Sequence, residues 1–203
     1  MTHTPATYVG RHQYLGASGS PCQIQYTIDS ADHIRFINEA WLQFACQNDG
    51  AHLNRAFVIG KSLWDFIDGE DLRHLYAQIF KMVRTKHHTM VFRFRCDSPV
   101  CRRYFLMTLS PLLEGSLMLS THPIREELRE PVALLDPDVQ RGEPLLRMCS
   151  WCIKACLPTE EWVELEEAIK RMDLLGGAEM PRLTHGICQE CERTINLELK
   201  SLV

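Results

Sequence analysis

Polar and apolar positions alternate twice early in the chain. Residues 23–37 read QIQYTI, a DSAD turn and HIRFI, a pattern that predicts two short strands. At Asn38 the period becomes helical: in NEAWLQFACQN, Trp41, Leu42 and Ala45 recur on one face. After an irregular stretch over 50–61, SLWDFI predicts one helical turn. The strongest periodicity runs from Gly69 to Arg84, where Leu72, Leu75, Tyr76, Ile79, Phe80 and Val83 form a single apolar stripe. Acidic residues at its start, and Lys81 and Arg84 at its end, suit the helix dipole. TMVFRFRC then alternates, with Phe92, Phe94 and Cys96 on one face and Val91, Arg93 and Arg95 on the other. RRYFLMTLSPL and GSLMLSTH read as two further strands around the turn PLLEG.

Two strands, short helices, one long helix and three strands predict an α+β fold, a five-stranded antiparallel sheet with flanking helices. Residues 1–22 read as a flexible N-terminal arm and 23–122 as the main domain. Residues 123–147 hold four prolines and many charges, and are expected to be a linker with a helical piece near REEL. Residues 148–203 form a Cys-rich module. In it PTEEWVELEEAIKRMDLLGG predicts a helix with Thr159 as N-cap, a Gly-Gly stop, and Trp162, Leu165, Ile169 and Met172 on one face.

A length of 203 residues fits one such domain plus an appendage. The net charge of −4 lies in the tail: residues 148–203 carry six Lys/Arg against ten Asp/Glu, and the rest is balanced. Phosphate-backbone binding needs clustered positive charge, so no nucleic-acid partner is expected. The first residues have no apolar signal region, and no stretch approaches the roughly 18 apolar residues that span a bilayer. The expectation is a cytoplasmic protein without a membrane anchor. No nucleophile elbow, P-loop, HExxH or dinucleotide fingerprint is present, which points away from an enzyme.

The nine cysteines change the picture most. An odd number without a secretion signal argues for reduced thiols. Cys149 and Cys152 form one Cys-x-x-Cys pair and Cys188 and Cys191 another, separated by 35 residues. Two such knuckles complete a tetrahedral set of four sulfurs, for which structural Zn2+ is the expected metal. Cys156 and His185 lie close enough in sequence to replace a ligand or support one. A redox dithiol is the competing reading; covalent haem would need a His after a pair, where Ile153 and Glu192 stand. Cys22, Cys46, Cys96 and Cys101 read as ordinary small apolar residues, with Cys96 and Cys101 flanking a turn.

Residues 23–122 resemble a PAS domain, the sensory fold of bacterial signalling proteins. The resemblance rests on HIRFINEAW with its Asn38, on VIGKSLWDFI, and on FRFRCDSPVCRRYFLMTLSPL with SLMLST. The tail, with CSWC, WVELEEAI and THGICQEC, resembles a Cys-rich tail that follows PAS or receiver domains in some bacterial signalling proteins. The resemblance implies a non-catalytic sensor that detects a signal or docks a protein partner, with a zinc-stabilised tail that transmits. The alternatives are a thiol redox switch that releases zinc on oxidation and a transcription regulator, which the acidic tail disfavours. The photoactive flavin subclass requires a cysteine that GKSLWDFI lacks. Haem-binding members use a His on the long helix, but His74 falls opposite the apolar stripe, and His87 and His88 sit at a turn, so neither haem nor flavin is expected. A homodimer is expected from PAS-like sheet pairing and from the apolar Ile195, Leu197, Leu199, Leu202 and Val203, which otherwise pack back on their own chain.

Overall fold

A computed structural model describes residues 23–48, 50–174 and 179–201. The N-terminal arm with Cys22, the Gly176–Gly177 stop, Leu202 and Val203 lie outside the described residues.

Strands β1 (Ile24–Ile28) and β2 (Ile34–Ile37) pair antiparallel across the Asp29–Asp32 turn. Asn38 then ties the strand to the helix that follows. Its side-chain oxygen accepts from Trp41 N–H, capping α1 (Glu39–Gln47), and from Gln25 N–H, while its amide donates to the Gln23 carbonyl. The short α2 (Arg55–Val58) and a 3-10 turn over Leu63–Phe66 lead to the long α3 (Glu70–Lys86). The α3 stripe is buried as its periodicity predicts, at Leu72, Leu75, Ile79, Phe80 and Val83.

Strands β3 (Met90–Arg95), β4 (Cys101–Pro111) and β5 (Leu117–Leu128) complete a sheet of order β2-β1-β5-β4-β3, antiparallel throughout. Its core is built on Phe80, Ile28, Ile37, Leu109, Leu117 and Leu119.

The helical piece expected near REEL is strand. β5 continues to Leu128, and Arg102 and Arg103 of β4 lie opposite Glu127 and Glu126. The long partner strand supplies a ladder and opposite charges, and these override a charged sequence with weak strand preference. Val132 and Leu134 are buried in a second core, so the expected linker carries structure at both ends.

The second core lies under a sheet of order β8-β7-β6-β9: β6 (Leu145–Cys149), β7 (Ala155–Cys156), β8 (Trp162–Val163) and β9 (Arg182–Gly186), with α4 (Leu165–Arg171) against it. The helix expected from Thr159 therefore starts late. Leu157 N–H donates to the Glu161 carbonyl and Glu160 adopts φ +63, so Pro158–Glu160 is a hairpin turn and Trp162 a strand residue under the Arg147 guanidinium. The chain ends in α5 (Gln189–Ser201), whose Ile195 and Leu199 pack into the first core while Leu197 is exposed. Among the described residues no helix is long and apolar enough to cross a membrane.

Candidate metal centre

Cys149 is the last residue of β6, an inner strand of its sheet. The chain turns through Ser150 and Trp151, and Ile153 takes φ +65 to reverse it. Ile153 N–H donates to the Cys149 carbonyl and Cys149 N–H to the Lys154 carbonyl, which locks a tight knuckle carrying Cys152. Strand β9 runs parallel to β6 and places Gly186 beside Cys149. Cys188 follows, and Cys191 sits in the first turn of α5. The parallel pairing of β6 and β9, rather than a long helix, brings the two halves together.

The four sulfurs of Cys149, Cys152, Cys188 and Cys191 lie within 4.8 Å of one another, and those of Cys152 and Cys188 are 3.7 Å apart. A tetrahedron with metal–sulfur bonds of about 2.3 Å has edges of about 3.8 Å, so the spacing suits one ion held by four thiolates. Backbone donors are aimed at sulfur: Cys188 N–H at Cys149 Sγ (3.3 Å) and Cys191 N–H at Cys188 Sγ (3.4 Å). The thiols act on one another as well. Donation from Cys152, Cys188 and Cys191 holds Cys149 far below the usual thiol range, whereas Cys191, as donor to Cys149, Cys152 and Cys188, is pushed up. Four thiolates this close repel one another, so a cation among them would take the place of the shared protons. Cys149 and Cys188 are buried, Cys152 and Cys191 partly so. Four protein ligands leave no open position, so the donor set suits a structural ion, not a catalytic one.

The spare groups stay outside. Cys156 Sγ lies 3.3 Å from Arg147 Nη2 and near its neighbouring carbonyl, and His185 is exposed on β9. Cys96 N–H donates to the Arg103 carbonyl while Cys101 bridges Ser98 across the turn; both thiols are free. His74 is exposed on α3 beside Gln78, at 2.7 Å, and His87 and His88 are exposed at the helix end.

Residues between and beside the four cysteines tie the cluster to the large sheet. Trp151 is buried, its ring 4.5 Å from Phe92 and 5.8 Å from Tyr76. Arg95 N–H donates to the Trp151 carbonyl (2.9 Å), so the knuckle extends the free edge of β3. Gly69, at φ +89 before α3, packs so closely on β9 that a Cβ there would meet the His185 carbonyl at 3.0 Å. An ion cluster also joins the two parts of the chain. The fully buried Asp97 carboxylate meets Arg95 (2.5 Å) and Arg129 (3.2 Å); Arg95 also reaches Glu164 (2.8 Å), and Arg102 and Arg129 reach Glu166 (2.8 and 3.2 Å). The alternation of β3 groups Arg95 with Val91 and Arg93, yet those two are exposed and Arg95 is buried. The readable signal was the aromatic between Cys149 and Cys152, since a tryptophan in so short a knuckle needs somewhere to be buried.

Comparison with protein-family models and with curated proteins finds no match for this chain. Among solved structures, the crystal structure of the PAS domain of an HTR-like protein from Haloarcula marismortui is similar at 14% identity and a TM-score of 0.33, covering 55% of this chain and 86% of that one.

Proposed function

We propose that this chain is a non-catalytic sensory or signal-transduction protein. Its PAS-like sheet module detects a signal or docks a protein partner, and a four-cysteine tail holding structural zinc transmits the change. The observation that carries the reading is the position of Trp151: the residue between two metal-ligating cysteines is packed on Phe92 and Tyr76 of the sheet module. A shift in either lobe is felt by the other through this contact. The order of strands and helices in residues 24–128 supports the sensory half, because it is the order the sequence resemblance implies. The all-sulfur donor set supports zinc. Self-association belongs to the same proposal, with the sheet module as its seat, since Ile195 and Leu199 are already buried in their own chain.

Hydrogen exchange on the full chain, before and after a strong chelator, tests the coupling. Metal removal is expected to expose β6, β9 and α5 and, with them, the β3 edge, while β1 and β5 stay protected. Exchange unchanged by the chelator, or changed only in the tail, contradicts it.

A second reading is favoured by the partial exposure of Cys152 and Cys191. Peroxide accepts two electrons from two thiolates, which join as a disulfide while peroxide is reduced to water and the ion is released. Zinc release by peroxide, reversed by thiol and metal, is its test.

A further inference from the structure

Strand β3 is the free edge of the large sheet, and a groove of about 680 Å³ runs along it. One wall is the strand itself, from Val91 to Arg95. The other is α5, with Thr194 and Glu198, and the knuckle closes the Arg95 end with Trp151 and Cys152. The edge is only partly used. Cys96 N–H donates to the Arg103 carbonyl of β4, whereas Arg95 N–H points the other way, to the Trp151 carbonyl at 2.9 Å. Backbone groups alternate sides along a strand, so Val91 and Arg93 turn theirs toward the groove as Arg95 does. Neither N–H has a backbone partner on that side among the described residues, and both residues are exposed.

An edge left open in this way is a template for a sixth strand. Trp151 already supplies the first contact, so a segment laid in line with the knuckle continues a ladder that has been started. The charges of the groove narrow what fits. Lys154 pairs with Glu190 at 3.2 Å, and Arg95 with Asp97 and Glu164. The other acid of the wall, Glu198, sits on α5, across the groove from the strand. Arg93 is exposed and has no carboxylate partner among the described residues. An acidic side chain on the incoming strand, opposite Arg93 on the same face, would complete a cross-strand ion pair. Its alternate side chains would meet Phe94 and Trp151 and are therefore apolar. A second copy of this chain offers the matching edge MVFRFR, two arginines and no acid, which leaves Arg93 unmatched.

We propose that the β3 edge binds an extended segment of a protein partner in which acidic and apolar residues alternate, added as a sixth strand beside the knuckle. The proposal deepens the reading of this chain as one that docks a partner, and its link to metal rests on the reading of the four cysteines as ligands. Trp151 and Cys152 form the end of the groove, so an ion that fixes the knuckle also fixes the groove. Metal and segment therefore strengthen each other's binding.

The test is fluorescence anisotropy on the zinc-loaded full chain with labelled heptapeptides: one alternating valine and glutamate, one with lysine in place of glutamate, and two forms of the first N-methylated on alternate amides. The glutamate peptide is expected to bind about tenfold tighter than the lysine peptide. One N-methylated form should lose binding and the other keep it, because only one edge of the added strand meets β3. Arg93→Glu should reverse the charge preference. Val91→Pro removes a groove-facing N–H without touching the pairing to β4, and should weaken the glutamate peptide about fivefold with strand circular dichroism unchanged. Removing zinc with a strong chelator should weaken it at least about tenfold. No binding up to about 1 mM peptide, equal binding of the two charged peptides, loss in both or neither of the methylated forms, a preference that survives Arg93→Glu, or indifference to the chelator each overturn the inference. A concentration-dependent dimer that Val91→Pro dissociates puts a second copy on the edge and overturns it too. If zinc is held and the peptides do not bind, the inference alone fails and the zinc-tail reading stands. A chain that holds no metal overturns the zinc-tail reading, and the link to metal with it.

Discussion

The two lobes solve the same problem by different means. The sheet lobe has strands of up to twelve residues and a core with Phe80, Ile28, Leu109, Leu117 and Leu119 excluded from water. Its stability comes from apolar burial and continuous ladders. The Cys-rich lobe has strands of two to five residues and a core of smaller pieces such as Ala155, Ala168, Leu146 and Leu165. A lobe this small buries too little apolar surface to stand alone. It leans on three additions: the sulfur cluster, the Trp151 anchor and the Arg–carboxylate cluster around Asp97. The difference teaches that the sulfur cluster and the interface are one construction, since the knuckle that presents the sulfurs also enters the larger core.

The strongest way to break the contrast is to remove ligands. Cys188→Ser with Cys191→Ser should unfold the small lobe while the sheet lobe keeps its strand circular dichroism. Structural zinc in isolated finger peptides contributes apparent free energies of about 10–16 kcal/mol, far more than this lobe has to spare. A single unshifted thermal transition in the double variant would show that the sulfurs are dispensable.

Two substitutions then separate anchor from latch. Trp151→Ala should cost about 3–5 kcal/mol, as for other buried aromatic truncations, and merge less well with metal loss than wild type does. Denaturant unfolding followed by fluorescence measures it. Asp97→Asn leaves Arg95 and Arg129 buried beside a neutral group and should cost a similar amount, about 3–5 kcal/mol. A loss under about 1 kcal/mol for either would place the interface elsewhere.

Glu166 gives a smaller, pH-dependent effect. Burial raises its carboxyl, but its own backbone N–H at the start of α4, then Arg102 and Arg129, bring it below its ordinary 4.5. A group lowered in this way stabilises the fold above its unfolded value, and the gain is lost as pH falls through the folded value. Because it is partly exposed, the gain is under about 1 kcal/mol. Glu166→Gln should therefore lower Tm slightly at pH 7, with the difference closing as pH falls below 4.5. The smallest effect is expected at His74, exposed on the solvent side of α3: His74→Ala should change stability by less than about 0.5 kcal/mol and leave the visible spectrum unaltered.

Much of the sheet lobe was legible because its periods are strong. The α3 stripe and the early strands lie where their patterns put them. The four sulfurs were legible from their doubled spacing, and the structure brings those four together. The small lobe was not legible in the same way. Ala155–Cys156 and Trp162–Val163 are too short to show a period, and PTEEW offers the same polar residues to a hairpin turn as to a helix start. REEL looked helical because its partners, Arg102 and Arg103, lie more than twenty residues away in sequence. The Asp97 cluster was hidden for the same reason, since its cations and carboxylates come from four separate segments.

The central claim is that one ion, held by four thiolates, completes the small lobe and fixes it to the sheet. Zinc K-edge X-ray absorption on the purified full chain, combined with elemental analysis, tests it most directly. The account predicts one zinc per chain with four sulfur neighbours at about 2.3 Å, and loss of that signal in the Cys188→Ser, Cys191→Ser variant. A chain that carries no metal, a shell containing nitrogen or oxygen, or full zinc content in the double variant would contradict it.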